Sequence, residues 1–279
     1  MTRVWLNGRI VPGEEAHIPV SDRGLLLGDG LFETMPVYNG RVFDLGAHLA
    51  RLASGLAVLG FAEAVDAQKI RTAITQFAAE GSAAGAILRL TITRGAGPRG
   101  LSPPDAPCPT VLMTLAPMPP ARAAPFSLRV AQSTRRNETS PLSRIKALPY
   151  LDNLLALREA KDHGADDALM LNTKGKLACA SVANLFVIKG SYLLTPPVGD
   201  GALPGTMRAL VLSLARAAGF EPAEASLEMK DLAAADGVFL TNCISRITEA
   251  KECDGTPLAQ LPGAAFRLRS LIQSRFEAE

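Results

Sequence analysis

The sequence predicts an α/β (α+β) chain folded as two domains, and three features carry that prediction. Apolar strands recur in both halves: Ala86-Ile87-Leu88-Arg89-Leu90-Thr91-Ile92-Thr93 and Val111-Leu112-Met113-Thr114-Leu115 in the first, Phe126 to Ala131 and Gly237-Val238-Phe239-Leu240 in the second. Helical runs separate them, with Leu49, Leu52, Leu56 and Leu59 on one side of the first and Leu151, Leu154 and Leu155 at helical spacing in the other. A proline-stiffened stretch divides the halves, giving a smaller N-terminal domain at 1–116, a linker at 117–125 and a larger C-terminal domain at 126–279.

Composition bounds the rest. With 279 residues, 48% hydrophobic and 20% charged, there is ample material for a core. The 29 Lys and Arg balance 27 Asp and Glu, and no basic run occurs, so no nucleic acid is expected as a partner. Cys108, Cys179, Cys243 and Cys253 lack metal-ligand spacing, so no metal site is expected and a reduced, cytoplasmic protein is. The start lacks a signal-peptide pattern, and no apolar run approaches the ~18 residues that span a bilayer, so a soluble protein with no membrane partner is expected.

In chain order, Asn7-Gly8 and Asn39-Gly40 read as hairpin turns between short strands. Between them lies a glycine-rich stretch, Ser21-Asp22-Arg23-Gly24 to Gly28-Asp29-Gly30, which by itself indicates only tight turns. Ala47-His48-Leu49-Ala50-Arg51-Leu52 opens the first long helix, with His48 read as structural. The strand from Ala86 ends in Arg94-Gly95-Ala96-Gly97-Pro98-Arg99-Gly100-Leu101, a loop in which Arg99 is either a carboxylate clamp or a solvated cation.

The second half holds Arg144-Ile145-Lys146-Ala147-Leu148-Pro149-Tyr150-Leu151-Asp152-Asn153. Pro149 suits a first helical turn, Asp152 its positive end, and His163-Gly164 its close, so Lys146 is placed just ahead of a buried helix. Apolar neighbours could lower its pKa and let it form a Schiff base, whereas a lone lysine at a helix start is ordinarily solvated. Gly205-Thr206-Met207 precedes another helix, where free N–H groups make either a phosphate site or a simple cap. Thr241, Asn242 and Ser245 close a strand as turn residues.

Taken together, these stretches resemble the fold-type IV, or class IV, pyridoxal-phosphate aminotransferase family, over nearly the full chain. That family includes branched-chain and D-amino-acid aminotransferases and aminodeoxychorismate lyases. The resemblance implies a two-domain fold-type IV architecture with pyridoxal 5′-phosphate between the domains, in a homodimer. It implies Lys146 as the catalytic, cofactor-bearing lysine and Arg51, from His-x-x-Arg-Leu, as the phosphate-gripping arginine. Gly205, Thr206 and Met207 fall on the phosphate turn, Asn184 holds local backbone, and Cys243 and Ile244 contribute backbone amides to the cofactor site. Arg99 and Thr241 fall where substrate carboxylate is met. Leu25, Pro36 and Leu101 depart from side chains common in relatives.

The informative departure is Cys179. Ser181-x-x-Asn184-Leu185-Phe186 matches the family, but its glutamate five residues before the asparagine is Cys179 here, and no Asp or Glu occurs between Asp167 and Asp200. That glutamate pairs with the pyridine nitrogen, and a thiol offers at best a weak hydrogen bond. The leading expectation is an aminotransferase acting on a small amino acid and 2-oxo acid pair, branched-chain-like. The alternatives are an aminodeoxychorismate lyase, supported by Gly-x-Met-Arg and the Arg99 loop, and a catalytically impaired cofactor-binding homologue.

Overall fold

The computed structural model describes residues 3–81, 85–120 and 125–278, so part of the 117–125 linker (121–124) lies outside the described residues. Two compact units emerge: residues 1–120 together with 145–149, and residues 121–144 together with 150–279. The linear reading of the domains does not contain the return of 145–149 to the first unit.

The first unit comprises β1 (Arg3–Leu6), β2 (Arg9–Pro12), α1 (Arg23–Leu27), β3 (Gly30–Tyr38), β4 (Arg41–Val42), α2 (Leu45–Leu59), α3 (Ala67–Ala78), β5 (Ala86–Thr93) and β6 (Thr110–Pro117). Its strands form an antiparallel six-stranded sheet ordered β2-β1-β6-β5-β3-β4. Both Asn-Gly turns close hairpins: Asn7 and Gly8 take φ of 47° and 94°, Asn39 and Gly40 49° and 75°, matching the twist that two-residue loops need. Asp44 caps α2 by accepting from the Ala47 N–H, so that helix begins two residues before Ala47. Leu52 and Leu56 of α2, with Ile74 and Phe77 of α3, pack with Met35, Leu88, Leu90 and Ile92 of the sheet.

The second unit holds β7 (Phe126–Val130), α4 (Leu151–Asp162), β8 (Asp167–Leu171), β9 (Leu177–Ala180), β10 (Asn184–Lys189), β11 (Tyr192–Thr195), α5 (Thr206–Leu214), β12 (Glu221–Glu224), α6 (Met229–Ala233), β13 (Gly237–Asn242), β14 (Arg246–Cys253), β15 (Thr256–Pro257) and α7 (Gly263–Ala278). A mixed sheet runs β12-β11-β10-β13-β14-β7-β8-β9, with β15 beside β14. Among the described residues no helix is long and apolar enough to cross a membrane.

The expectation for α4 needs correction. The helix starts at Leu151 with Tyr150 as its cap, so Pro149 precedes it. Its buried face is Asn153, Ala156 and Ala160, small groups that allow close approach to Ala168 and Met170 of β8. Leu151, Leu154 and Leu155 are instead 70%, 60% and 48% exposed. The leucine spacing marked the outer face of this helix; the alanines marked the inner one.

Candidate active site

Lys146 owes its position to main-chain pairing in the first unit. Phe32 N–H donates to Lys146 O at 3.0 Å and Leu148 N–H to Gly30 O at 3.0 Å, and Leu31 bridges Ala147, so this short segment runs antiparallel along β3. Ile145 and Ala147 enter the core, and strand alternation sends Lys146 to the opposite side. Its Nζ lies 4.2 Å from the centroid of the Phe32 ring, and the Arg89 guanidinium carbon lies 4.0 Å from the same ring. Phe32 therefore carries two cations through its π-system, and only the amine has a neutral, nucleophilic form to offer.

One residue further along β3, Glu33 organises Arg51. Its carboxylate accepts from Arg51 Nε at 2.8 Å and from Arg51 Nη2 at 2.6 Å, a bidentate fork, and from His48 Nδ1 at 2.7 Å. Glu33 and His48 are each 1% exposed. Burial pushes the Glu33 carboxyl up, but the hydrogen bonds and charges of Arg51 and His48 outweigh it and hold the group at about 2. An ionised Glu33 makes His48 Nδ1 the donor; Nε2 of that ring is buried with no hydrogen-bond partner among the described residues. Neither Glu33 nor Arg89 was singled out in the sequence. A glutamate in an otherwise apolar strand is the one local signal for the former, and Arg89 looks like any outward residue of an alternating strand.

The Arg99 loop is tied down by the Asp-Arg-Gly motif. Asp22 accepts from Gly24 N–H at 2.7 Å and from the Thr93 and Thr110 hydroxyls at 2.9 and 2.7 Å. A side chain at Gly24 would collide with Thr93, which explains the glycine. Arg23 donates to the carbonyls of Gly100, Leu101 and Ser102 at 3.2, 2.9 and 3.1 Å, and it shares Asp29 with Arg94. Arg99 itself is exposed on this anchored loop.

In the second unit, Gly205 caps α5 without any side-chain acceptor, so among the described residues no side chain caps the first N–H groups of the helix. A Cβ at Gly205 would collide with Asn184 Oδ1, while Asn184 Nδ2 donates to Leu203 O at 2.8 Å and fixes the approach to the helix. Thr206 and Met207 are buried, and Arg208 turns away to Glu224 at 2.9 Å and Pro196 O at 3.0 Å. Thr241 is 2% exposed, and its hydroxyl has no hydrogen-bond partner among the described residues. Cys243 is half-buried, and Ile244 N–H donates to Asn242 Oδ1 at 2.9 Å.

Cys179 is buried on β9 and pairs with Met170. Burial pushes its thiol up; the charge of Arg136 opposes that and the charge of Asp167 adds to it. Arg136 was passed over in the sequence because nothing local marks it: its contacts come from Ser143, Asn153 and Gly201. The uncapped helix start at Gly205 offers main-chain donors that fit the phosphate of a cofactor, and the orphaned Thr241 hydroxyl is a separate buried donor.

Comparison with known proteins agrees with this reading of the fold. A family model described as amino-transferase class IV matches residues 30–253. A protein of Methanocaldococcus jannaschii assigned as a branched-chain-amino-acid aminotransferase is 34% identical over 254 residues, covering 91% of this chain and 88% of that one. The branched-chain aminotransferase of the archaeon Thermoproteus uzoniensis, solved with norvaline, superposes with a TM-score of 0.90 at 27% identity, covering 100% of this chain and 96% of the other. The 4-amino-4-deoxychorismate lyase of Pseudomonas aeruginosa superposes with a TM-score of 0.86 at 29% identity, covering 97% and 98%. The chain belongs to the class IV aminotransferase family and has the fold-type IV architecture of its enzymes.

Proposed function

We propose that the chain is a pyridoxal 5′-phosphate-dependent aminotransferase that exchanges the amino group of a small amino acid with a 2-oxo acid, branched-chain-like in its substrates. The observation that carries this reading is Lys146, fixed by paired main-chain bonds along β3 with its amine over Phe32. When bound, the cofactor supplies an aldehyde that joins an amine and a conjugated ring that takes up charge from the substrate α-carbon. Lys146 Nζ would hold that aldehyde at rest. When free, the same amine would take the proton from the substrate α-carbon and later give it back.

Arg51, aligned by Glu33, would bind the phosphate together with the main-chain donors at Gly205, Thr206 and Met207. Asn184 keeps the α5 approach open to it, and the Thr241 hydroxyl would find its partner on the substrate carboxylate. Arg99 would orient that carboxylate from its anchored loop. Cys243 would border the cofactor through its main chain; Ile244, whose N–H is committed to Asn242, would contribute packing. Rapid mixing of the holo protein with a panel of L- and D-amino acids tests the reading. The cofactor's visible absorbance should convert to that of its amine form and return on adding a 2-oxo acid; a spectrum unmoved by every member would sink it.

The lyase reading is favoured by one specific likeness, Gly205-Thr206-Met207-Arg208, and by the structural match to the Pseudomonas enzyme. Release of pyruvate and 4-aminobenzoate from aminodeoxychorismate without any oxo acid would establish it. A holo protein that does neither reaction would be the impaired homologue.

The exposed leucines of α4 support a homodimer. Leu151, Leu154 and Leu155 form an apolar stripe at i, i+3 and i+4 that a solvated helix does not need. Leu154→Glu is expected to shift the sedimentation of the protein from dimer to monomer; an unchanged dimer would place the interface elsewhere. Cys108, Cys179, Cys243 and Cys253 carry thiols rather than disulfides, which suits a reducing compartment, and we place the enzyme in the cytoplasm.

A further inference from the structure

The surroundings of Cys179 contain a cation without a carboxylate. Arg136 bridges Asn172 in parallel, and its N–H donates to Leu171 O at 2.9 Å, so its backbone extends the β7 side of β8. Bridged residues share a face, residues two apart on a strand share a face, and Cys179 pairs with Met170 on the other side of β8. Arg136, Asn172, Met170 and Cys179 therefore lie on one face of the sheet, the one that α4 covers with Ala156 and Ala160.

The side chain of Arg136 confirms the placement. Its Nη1 donates to Asn153 Oδ1 of α4 at 3.4 Å, and Asn153 Nδ2 donates to Ser181 O at 2.6 Å, two residues beyond Cys179. Its Nε and Nη2 go to Gly201 O at 3.1 Å and Ser143 O at 2.9 Å. All three acceptors are neutral. The nearby carboxylate, Asp167, is committed to the Ser181 hydroxyl and to the N–H groups of Ser181 and Ala168.

We propose that this protein keeps the pyridine nitrogen of its cofactor unprotonated, because Cys179, which stands where the family carries the glutamate that pairs with that nitrogen, offers a neutral thiol near the guanidinium of Arg136, whose side-chain acceptors are all neutral. The inference rests on the proposed cofactor binding at Lys146. A pyridinium needs a negative neighbour to persist in a buried place, and of the two charges that act on Cys179 the positive one of Arg136 outweighs the negative one of Asp167. The thiol, its ionisation opposed by burial, does not supply the missing anion. Arg136 is thus a positioning residue for the charge state of the ring. The ring then withdraws fewer electrons, and proton removal by Lys146 becomes the slow step for an aliphatic amino acid, which lends its α-carbon no stabilisation of its own.

The test uses full-length protein reconstituted with cofactor labelled with ¹⁵N in the ring, and reads the nitrogen chemical shift. Borohydride reduction and peptide mass first locate the label on Lys146. The wild type should show the shift of an unprotonated pyridine, unchanged across the pH range in which the protein is stable. Cys179→Glu should move it to the protonated value and raise the single-turnover rate for an aliphatic amino acid by about tenfold or more, whereas Cys179→Ser should leave the shift where it was. A protonated shift in the wild type overturns the inference even if Cys179→Glu does not fold. Label that never reaches Lys146 overturns the cofactor reading, and this inference with it.

Discussion

Lys146→Ala is expected to leave a folded protein whose turnover falls by about 10²–10⁴-fold or more, since positioned proton transfer alone is worth that much and the anchoring amine is lost as well. The fold should survive because the bonds that seat the segment run through main-chain atoms, Phe32 N–H to Lys146 O and Leu148 N–H to Gly30 O, and alanine keeps both. Ile145 and Ala147 stay in the core for the same reason. An added small amine such as methylamine should restore part of the activity by replacing the missing base. Circular dichroism and a thermal melt would check the fold, and steady-state assays the turnover. A variant that melts normally yet retains most of its activity would remove Lys146 from the chemistry.

Glu33→Gln should be among the most costly changes to stability, on the order of 3 kcal/mol near neutral pH. The carboxyl moves from an ordinary 4.5 to about 2 on folding, and each pH unit of such a shift corresponds to ~1.4 kcal/mol. A lowered carboxylate pKa stabilises the fold above about pH 4.5, where the unfolded chain is also ionised. That contribution fades as pH falls from there toward about 2. The stability gap between wild type and Glu33→Gln, measured by urea unfolding, should therefore be widest at neutral pH and narrow below pH ~4.5. Arg51→Ala should cost as much, ~3–5 kcal/mol, because it strands Glu33 as a buried charge with only His48 for company. A gap that stays constant with pH would mean that shape, not charge, is what Glu33 contributes.

Much of the fold was legible because its signals are local. Asn7-Gly8 and Asn39-Gly40 announce hairpins through the positive φ that those residues tolerate, and the alternation of Ala86 to Thr93 survives intact as β5. What was hidden depends on residues far apart in sequence. Glu33 and Arg51 meet only after β3 and α2 have packed, and Arg136 finds its acceptors at Ser143, Asn153 and Gly201. The helix α4 misled for a different reason: leucines at helical spacing outweigh alanines in any hydrophobic pattern, yet the tight contact with β8 selects the smaller groups. The return of 145–149 to the first unit has no sequence signature, because a five-residue strand-like piece between a turn and a helix looks like a connection.

That return also sets an order of assembly. Ile145–Pro149 lies against the N-terminal part of β3, whose edge there is otherwise open, and the core of the first unit includes Ile145 and Ala147. During synthesis the ribosome must therefore release residue 149 before the first unit can close, well after its own sheet strands have emerged. A fragment ending at residue 120 would expose a strand edge and an unfilled core, and a fragment beginning at 121 would carry the lysine with nothing to seat it. The gene cannot be cut at its proline-rich joint into two self-sufficient halves, and the Lys146 amine takes its place only once the chain has been made through residue 149.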